Sequence, residues 1–345
     1  MKTDEIYIQR CLDLAEKGLA AAMPNPSVGA VIVYKDTIIG EGFTSAYGGS
    51  HAEVNAIDSV EDKSLLSKAT LYVSLEPCNH FGKTPPCSDL IVNSKIPKVV
   101  IGCVDPFSEV AGKGIEKLKA NGIEVSVGVL ENECVASHKR FFTFHTKKRP
   151  FIILKWAESQ DGFVSPNTKL EQKPVWLTNV YSRQLVHKLR SEEMAILVGT
   201  QTVLADNPTL NTRDWFGKNP TRLYIDRENK IPDDVHLKDR QIQTICFTSN
   251  PKENKKNLDF EFMDFTKNVP EQICEILYKR NIQSVIIEGG TFTLQQFINA
   301  NLWDEAIVFK SQVLLNEGTK APVFNKNPFE IKSISNDQLF LFKNR

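Results

Sequence analysis

Short apolar runs alternate with helix-periodic stretches along nearly the whole chain, and that alternation confines it to sheets covered by helices. In the first half the strand-like runs are Val28 to Tyr34 and Thr37 to Phe43, which read as a hairpin around Lys35-Asp36. Thr70 to Leu75, Lys98 to Cys103 and Glu124 to Val129 follow. Helical spacing covers residues 4–19, with Asp4 as the N-cap, then His51 to Val60, Ser88 to Ser94, Glu109 to Ala120 and Glu131 to Phe144. Met23-Pro24-Asn25-Pro26 must end the first helix. The basic run Thr146-Lys147-Lys148-Arg149-Pro150 precedes a strong new strand, Phe151 to Trp156. We place the boundary there, giving domains at 1–146 and 150–345. A chain of 345 residues supports the same division at about 150 residues per domain.

A second alternation follows. Its strands are Ala195 to Gly199, Arg222 to Asp226, Thr244 to Thr248, Ser284 to Glu288 and Asp304 to Phe309. Its helices are Ser182 to Arg190, Glu271 to Lys279 and Thr293 to Asn299, and the polar stretch 249–258 reads as a solvated loop. No repeat of fixed period or low-complexity tract interrupts the pattern.

Lys plus Arg number 42 and Asp plus Glu 42, so the formal net charge is zero. Nucleic-acid binders draw affinity from neutralised phosphates and carry a basic excess. The balance points to a small-molecule partner instead. A hydrophobic fraction of 41% with 24% charged residues excludes a disordered or collagen-like chain. Asp4 and Glu5 interrupt the N-terminus, which does not read as a secretory signal, and no run approaches the roughly 20 apolar residues of a membrane helix. Seven cysteines are an odd count in a chain read as cytoplasmic, where thiols and metal ligands outweigh disulfides.

The strongest chemical signal is His51-Ala52-Glu53, then Glu76-Pro77-Cys78, then Cys87. One imidazole and two thiolates are three good ligands for Zn²⁺, and they leave the fourth position open to water. Glu53 stands two residues from the histidine, placed to handle a proton of that water as catalytic acid and base. A water-activating metal beside a proton-shuttling carboxylate is the equipment for hydrolytic removal of an amine. The order His-x-Glu, then Pro-Cys, then Cys is the zinc-deaminase pattern, here with eight residues between the cysteines instead of two. The remaining Cys11, Cys103, Cys134, Cys246 and Cys274 read as buried and inert.

The long insert Pro77-Cys78-Asn79-His80-Phe81-Gly82-Lys83-Thr84-Pro85-Pro86-Cys87 resembles that of the bifunctional riboflavin-biosynthesis family, a pyrimidine deaminase fused to an aminouracil reductase. Pro24 to Ala30, Asp105-Pro106, Val110-Ala111-Gly112-Lys113-Gly114, Thr202 to Leu210 with Arg213, and Glu288-Gly289-Gly290 agree with it. The resemblance implies a cytidine-deaminase-like three-layer α/β/α domain followed by a dihydrofolate-reductase-like α/β domain. It implies hydrolytic deamination of 2,5-diamino-6-ribosylamino-4(3H)-pyrimidinone 5′-phosphate, with one zinc per chain. NADPH-dependent reduction of the ribosyl group to ribityl would follow. It places Asn25, His80 and Lys83 on the substrate of the first reaction. Thr44 departs, because the family often has a histidine there, seven residues before the metal-ligating one.

For the reductase, the strand Ser284 to Glu288 runs into Gly289-Gly290-Thr291 and a helix, where bare backbone and unpaired N–H groups can approach a phosphate. The resemblance puts Gly290, Thr291, Phe292, Thr293, Leu294, Gln295 and Gln296 on the cofactor, together with Trp176, Thr202 and Asp206. It puts Arg190, Leu210, Arg213 and Glu288 on the substrate. Arginine suits bidentate capture of a phosphate monoester, so Arg190 and Arg213 are the candidates for the ribosyl phosphate. Pro174 stands where the family commonly has serine. Reductases of this type are often dimeric, so a homo-oligomer is expected.

Two other readings compete. One is a zinc deaminase for free bases or a tRNA adenine, for which His138-Lys139-Arg140-Phe141-Phe142 would supply cations and aromatics. Neutral charge and a complete second domain oppose it. The other is a structural zinc, which four protein ligands would close, and only three stand out here.

Overall fold

The computed structural model describes residues 3–81, 85–106, 111–169 and 171–344. It divides into two compact units, Met1–Lys148 and Arg149–Arg345. Among the described residues no helix is long and apolar enough to cross a membrane.

The first unit opens with α1 (Thr3–Ala22), the hairpin β1 (Gly29–Tyr34) and β2 (Thr37–Phe43), α2 (Ala52–Ser59) and β3 (Thr70–Leu75). It continues with α3 (Cys87–Asn93), β4 (Lys98–Cys103), α4 (Lys113–Ala120), β5 (Glu124–Val127), α5 (Glu131–Ser137) and α6 (Lys139–Lys147). The strands form one sheet in the order β2-β1-β3-β4-β5, antiparallel across the first three and parallel across the last three. Helix α1 packs on β1 and β3 and touches α5, while α2 packs on β2 and β1 and touches α3. The result is three layers. Strands β1, β3 and β4 are almost wholly buried, which is why they read as unbroken apolar runs.

Three sequence expectations shift here. Asp4 lies inside the first turn of α1, where its carboxylate accepts from the Tyr72 hydroxyl at 2.8 Å instead of capping the helix. Helix α4 starts at Lys113 because Gly112 precedes it at φ 80°, a left-handed conformation that the helix cannot continue. The stretch from Glu131 to Phe144 is two helices, broken at the buried His138.

In the second unit the elements are β6 (Phe151–Glu158), β7 (Phe163–Ser165), α7 (Val180–Glu192), β8 (Ala195–Val198), α8 (Thr200–Asp206) and β9 (Thr221–Ile225). Then come β10 (Thr244–Thr248), β11 (Leu258–Phe262), α9 (Val269–Lys279), β12 (Ser284–Gly289) and α10 (Thr291–Asn299). Strands β13 (Glu305–Lys310), β14 (Thr319–Lys320), β15 (Glu330–Ile334) and β16 (Asp337–Lys343) end the chain. Nine strands form one sheet, β11-β10-β9-β8-β12-β6-β13-β16-β15, parallel from β11 to β13 and antiparallel at the last two. The stretch 249–258 is a loop only to residue 257, since Leu258 is buried at the start of β11. Strands β8 and β12 are neighbours, so the turns that follow them, at Gly199 and Gly290, open at the same sheet edge. In parallel α/β sheets ligands bind outside those carboxyl ends.

Candidate functional sites in the two units

In the first unit His51 is the residue before α2, with extended backbone, and Cys87 opens α3. The turn after β3 carries Cys78 toward both. His51 Nδ1 lies 3.5 Å from Cys78 Sγ and 3.3 Å from Cys87 Sγ, and the Cys87 N–H donates to Cys78 Sγ at 3.3 Å. All three donor atoms lie within 4.8 Å of one another. A tetrahedral zinc bound at its ordinary N and S distances sets nitrogen and sulfur about 3.6 Å apart. The donor chemistry and the spacing both fit Zn²⁺.

Hydrogen bonding from Cys87 outweighs burial and draws the Cys78 thiol down to about 4, with His51 adding to the effect. The Cys87 thiol is pushed up by its bond to Cys78 and by burial. One proton therefore serves two sulfurs, an arrangement a divalent cation can replace. Glu53 is only 4% exposed, and burial raises its carboxyl to about 7, with the charge at Cys78 adding to it.

The other expected residues of this unit are placed unequally. Asn25 lies in the loop between α1 and β1 and His80 in the loop after Cys78, both half-buried. Lys83 lies outside the described residues. Thr44 is buried, and its hydroxyl accepts the Val28 N–H at 2.9 Å while its own N–H donates to Val28 O at 3.0 Å. It ties the start of β1 to the end of β2, in place of the histidine that the family often has there.

In the second unit a cleft of about 670 Å³ opens at the carboxyl ends of β6, β8 and β12. Trp176, Arg190, Thr202, Asp206, Leu210, Arg213, Glu288, Gly290, Thr291 and Leu294 all line it, as does Pro174. Phe292, Thr293, Gln295 and Gln296 do not. They sit on α10, whose turn of 3.6 residues cannot aim seven consecutive side chains at one ligand. Phe292 is 76% exposed, Thr293 is buried against the Gly199 side of the turn, and Gln295 accepts the Val323 N–H at 2.8 Å. Gly289 and Gly290 are required by contact: a Cβ at Gly289 would lie 2.8 Å from the Thr202 side chain, and Gly290 has φ 75°.

Glu288 falls where the β12–β8 register shifts, an irregularity that re-aims a side chain. Lys155 Nζ lies 2.8 Å from Glu288 Oε1 and Arg190 Nη2 lies 2.7 Å from Oε2. Burial pushes the Glu288 carboxyl up, but Arg190 and Lys155 prevail and hold it at about 2. Arg190 thus has a carboxylate partner at Nη2 and still lines the cleft. Arg213 Nη1 donates to neutral oxygens, Thr209 Oγ1 at 3.3 Å and Asn211 Oδ1 at 3.2 Å. Its guanidinium lies 5.7 Å from the Trp176 ring, and that of Arg183 lies 5.1 Å away. Asp206 is ion-paired with Lys169.

The sequence reading missed Lys155, Lys169, Arg183 and His187, which also line the cleft. Lys155 carried one signal: a lysine inside an otherwise apolar strand.

Comparison with known proteins follows the same division. The cytidine and deoxycytidylate deaminase zinc-binding region matches residues 1–103, and the RibD C-terminal domain matches 150–336. The riboflavin biosynthesis protein RibD of Aquifex aeolicus is 38% identical over 324 residues, covering 91% of this chain and 88% of its own. That of Actinobacillus pleuropneumoniae is 44% identical over 299 residues, covering 84% and 78%. A solved diaminohydroxyphosphoribosylaminopyrimidine deaminase/5-amino-6-(5-phosphoribosylamino)uracil reductase of Thermotoga maritima superposes with a TM-score of 0.90 at 36% identity, covering 99% and 98%. Acinetobacter baumannii RibD gives 0.87 at 30% identity, covering 99% of each chain. A zinc-binding deaminase domain and a reductase domain in one chain, each with its own assembled site, place this protein in the RibD family of bifunctional riboflavin-biosynthesis enzymes.

Proposed function

We propose that residues 1–146 deaminate 2,5-diamino-6-ribosylamino-4(3H)-pyrimidinone 5′-phosphate and that residues 150–345 then reduce its ribosyl group, yielding 5-amino-6-ribitylamino-uracil 5′-phosphate. The observation that carries the reading is the convergence of His51, Cys78 and Cys87 beside a buried Glu53. Bound there, zinc supplies activation of the water that displaces the amine. Glu53 would take one proton from that water and pass it to the ring nitrogen, then take the second from the new hydroxyl and pass it to the amine, which leaves as ammonia while the carbonyl forms; its burial shields both transfers from bulk water. Asn25, His80 and Lys83 are the side chains we assign to the pyrimidine and its phosphate.

In the second unit NADPH supplies the hydride. Gly289 and Gly290 leave the turn before α10 open to its phosphates, and Thr202, Asp206, Trp176, Thr291 and Leu294 form the walls on which it would lie. Anionic Glu288 fixes Lys155 and Arg190 as donors at the place where the sugar must sit. Arg213, which lines the cleft and hydrogen-bonds through Nη1 to neutral oxygens, is assigned to the phosphate, with Leu210 beneath the substrate. A cytoplasmic homo-oligomer belongs to the same reading, on the strength of the family likeness.

The test is incubation with the diamino-pyrimidinone phosphate, following ammonia with and without NADPH. Ammonia release independent of NADPH, followed by NADPH oxidation, is the expected result. Absence of ammonia from zinc-loaded enzyme would refute the reading.

A further inference from the structure

Asp105-Pro106 and Ala111-Gly112-Lys113-Gly114 stand out in the sequence, yet the chemistry above uses neither. Their backbone converges on Glu76, which is 3% exposed. Glu76 Oε2 accepts the N–H groups of Asp105 at 3.3 Å and Gly112 at 3.0 Å. Its Oε1 accepts those of Gly114 at 3.0 Å and Ile115 at 3.3 Å. Two of these donors lie in the first turn of α4, whose unpaired N–H groups and positive dipole end favour an anion. Only a carboxylate presents acceptors at both of its terminal atoms.

The same turn grips the chain beyond Glu76. Pro77 O lies against Gly114, where an added Cβ would come within 2.1 Å of it. Asn79 Nδ2 donates to Lys113 O at 3.3 Å, and Asn79 Oδ1 accepts from Ser88 Oγ at 2.9 Å. Cys78 sits in irregular backbone between these anchors, held from both flanks.

We propose that Glu76 is a positioning residue for the metal centre. By tying the backbone at Asp105 and at Gly112, Gly114 and Ile115 to the Glu76-Pro77-Cys78 arm, it fixes where the Cys78 sulfur stands relative to His51 and Cys87. The inference rests on the zinc reading of that cluster. A ligand on a slack arm must be ordered when the metal binds, and partners outside the ligand set are commonly worth about 10–100-fold in metal affinity.

The experiment uses full-length wild type, Glu76→Gln and Asn79→Ala. Zinc affinity is measured by chelator competition, and the visible spectrum is recorded with Co²⁺ in place of zinc. NADPH oxidation on the deaminated substrate reports on the rest of the chain. Glutamine keeps the size of Glu76 but turns an NH₂ group against two N–H donors. We expect Glu76→Gln to bind zinc about 10–100-fold more weakly, with an altered cobalt spectrum and unchanged reduction. Asn79→Ala, on the other flank, should loosen zinc by a smaller factor, and it decides the matter if Glu76→Gln fails to fold. Wild-type affinity and spectrum in the folded variants would overturn the inference. Failure of the wild type itself to hold zinc would instead bring down the reading of the site.

Discussion

Arg190 and Glu288 are 98 residues apart in the chain and meet at 2.7 Å on the wall of the reductase cleft. The arginine that sequence reasoning assigns to a phosphate therefore also has a carboxylate partner. With Lys155 on its other oxygen, Glu288 balances two cations, and the three side chains are 10–12% exposed. A buried charge left without its partner is expensive, far more so than a surface ion pair is helpful.

Replacing Glu288 with glutamine should therefore strand Lys155 and Arg190. The expected loss is about 3–5 kcal/mol in the unfolding of the second unit, read by urea denaturation, together with loss of NADPH oxidation. In the wild type the Glu288 carboxyl titrates near 2, below its ordinary 4.5. Its contribution to stability is complete above pH 4.5 and disappears as pH falls toward 2. A contribution that instead faded between pH 7 and 5 would contradict the pairing.

His187 has an opposite charge type but the same direction of effect. Burial lowers it to about 4, and Arg190 and Arg213 add to that shift. Its Nδ1 accepts the Arg213 N–H at 3.3 Å, which requires the neutral ring. The unfolded chain takes up a proton near pH 6.5 while the folded one does not, so stability is present above 6.5 and is lost as pH falls toward 4. The loss over that window should be measurable as a fall in melting temperature. In His187→Asn, which retains an acceptor but cannot titrate, the melting temperature should vary much less between pH 6.5 and 4.

Glu53→Gln should keep one zinc per chain and lose ammonia release by several orders of magnitude, while reduction of pre-deaminated substrate continues. Metal analysis paired with both assays checks this. Substantial residual deamination would remove Glu53 from the proton path.

Arg213→Ala should raise the KM of the reduction about 10–100-fold, the worth of a charge-assisted contact, with kcat changed little. Asp206→Asn should release Lys169 and weaken NADPH use. Neither variant should alter ammonia release. A parallel fall of both activities would show that the two units do not divide the work.

Much of the metal site could be read along the chain because its residues are short-range in kind. His51 precedes α2, Cys87 opens α3, and Cys78 follows a strand, so each falls at an element boundary that apolar periodicity already marks. The reductase wall was legible in part. Gly289-Gly290 signals a close approach, and of the family span Gly290 to Gln296, Gly290, Thr291 and Leu294 line the cleft, while helical periodicity points the side chains of the others elsewhere. Strands β7 and β14, with three and two residues, and the mostly exposed β15 carry too little pattern to be seen. Helix α8 buries only Val203 and shows no apolar face.

By itself, the sequence determined the two α/β halves, the donor set for zinc and the glycine turn, since apolar period and ligand chemistry are properties of neighbouring residues. Tertiary structure alone decided which charges are spent on each other. Arg190 turns to Glu288, Lys169 to Asp206 and Glu76 to the first turn of α4, because a buried charge takes whichever partner folding brings within reach, and no spacing along the chain encodes that distance.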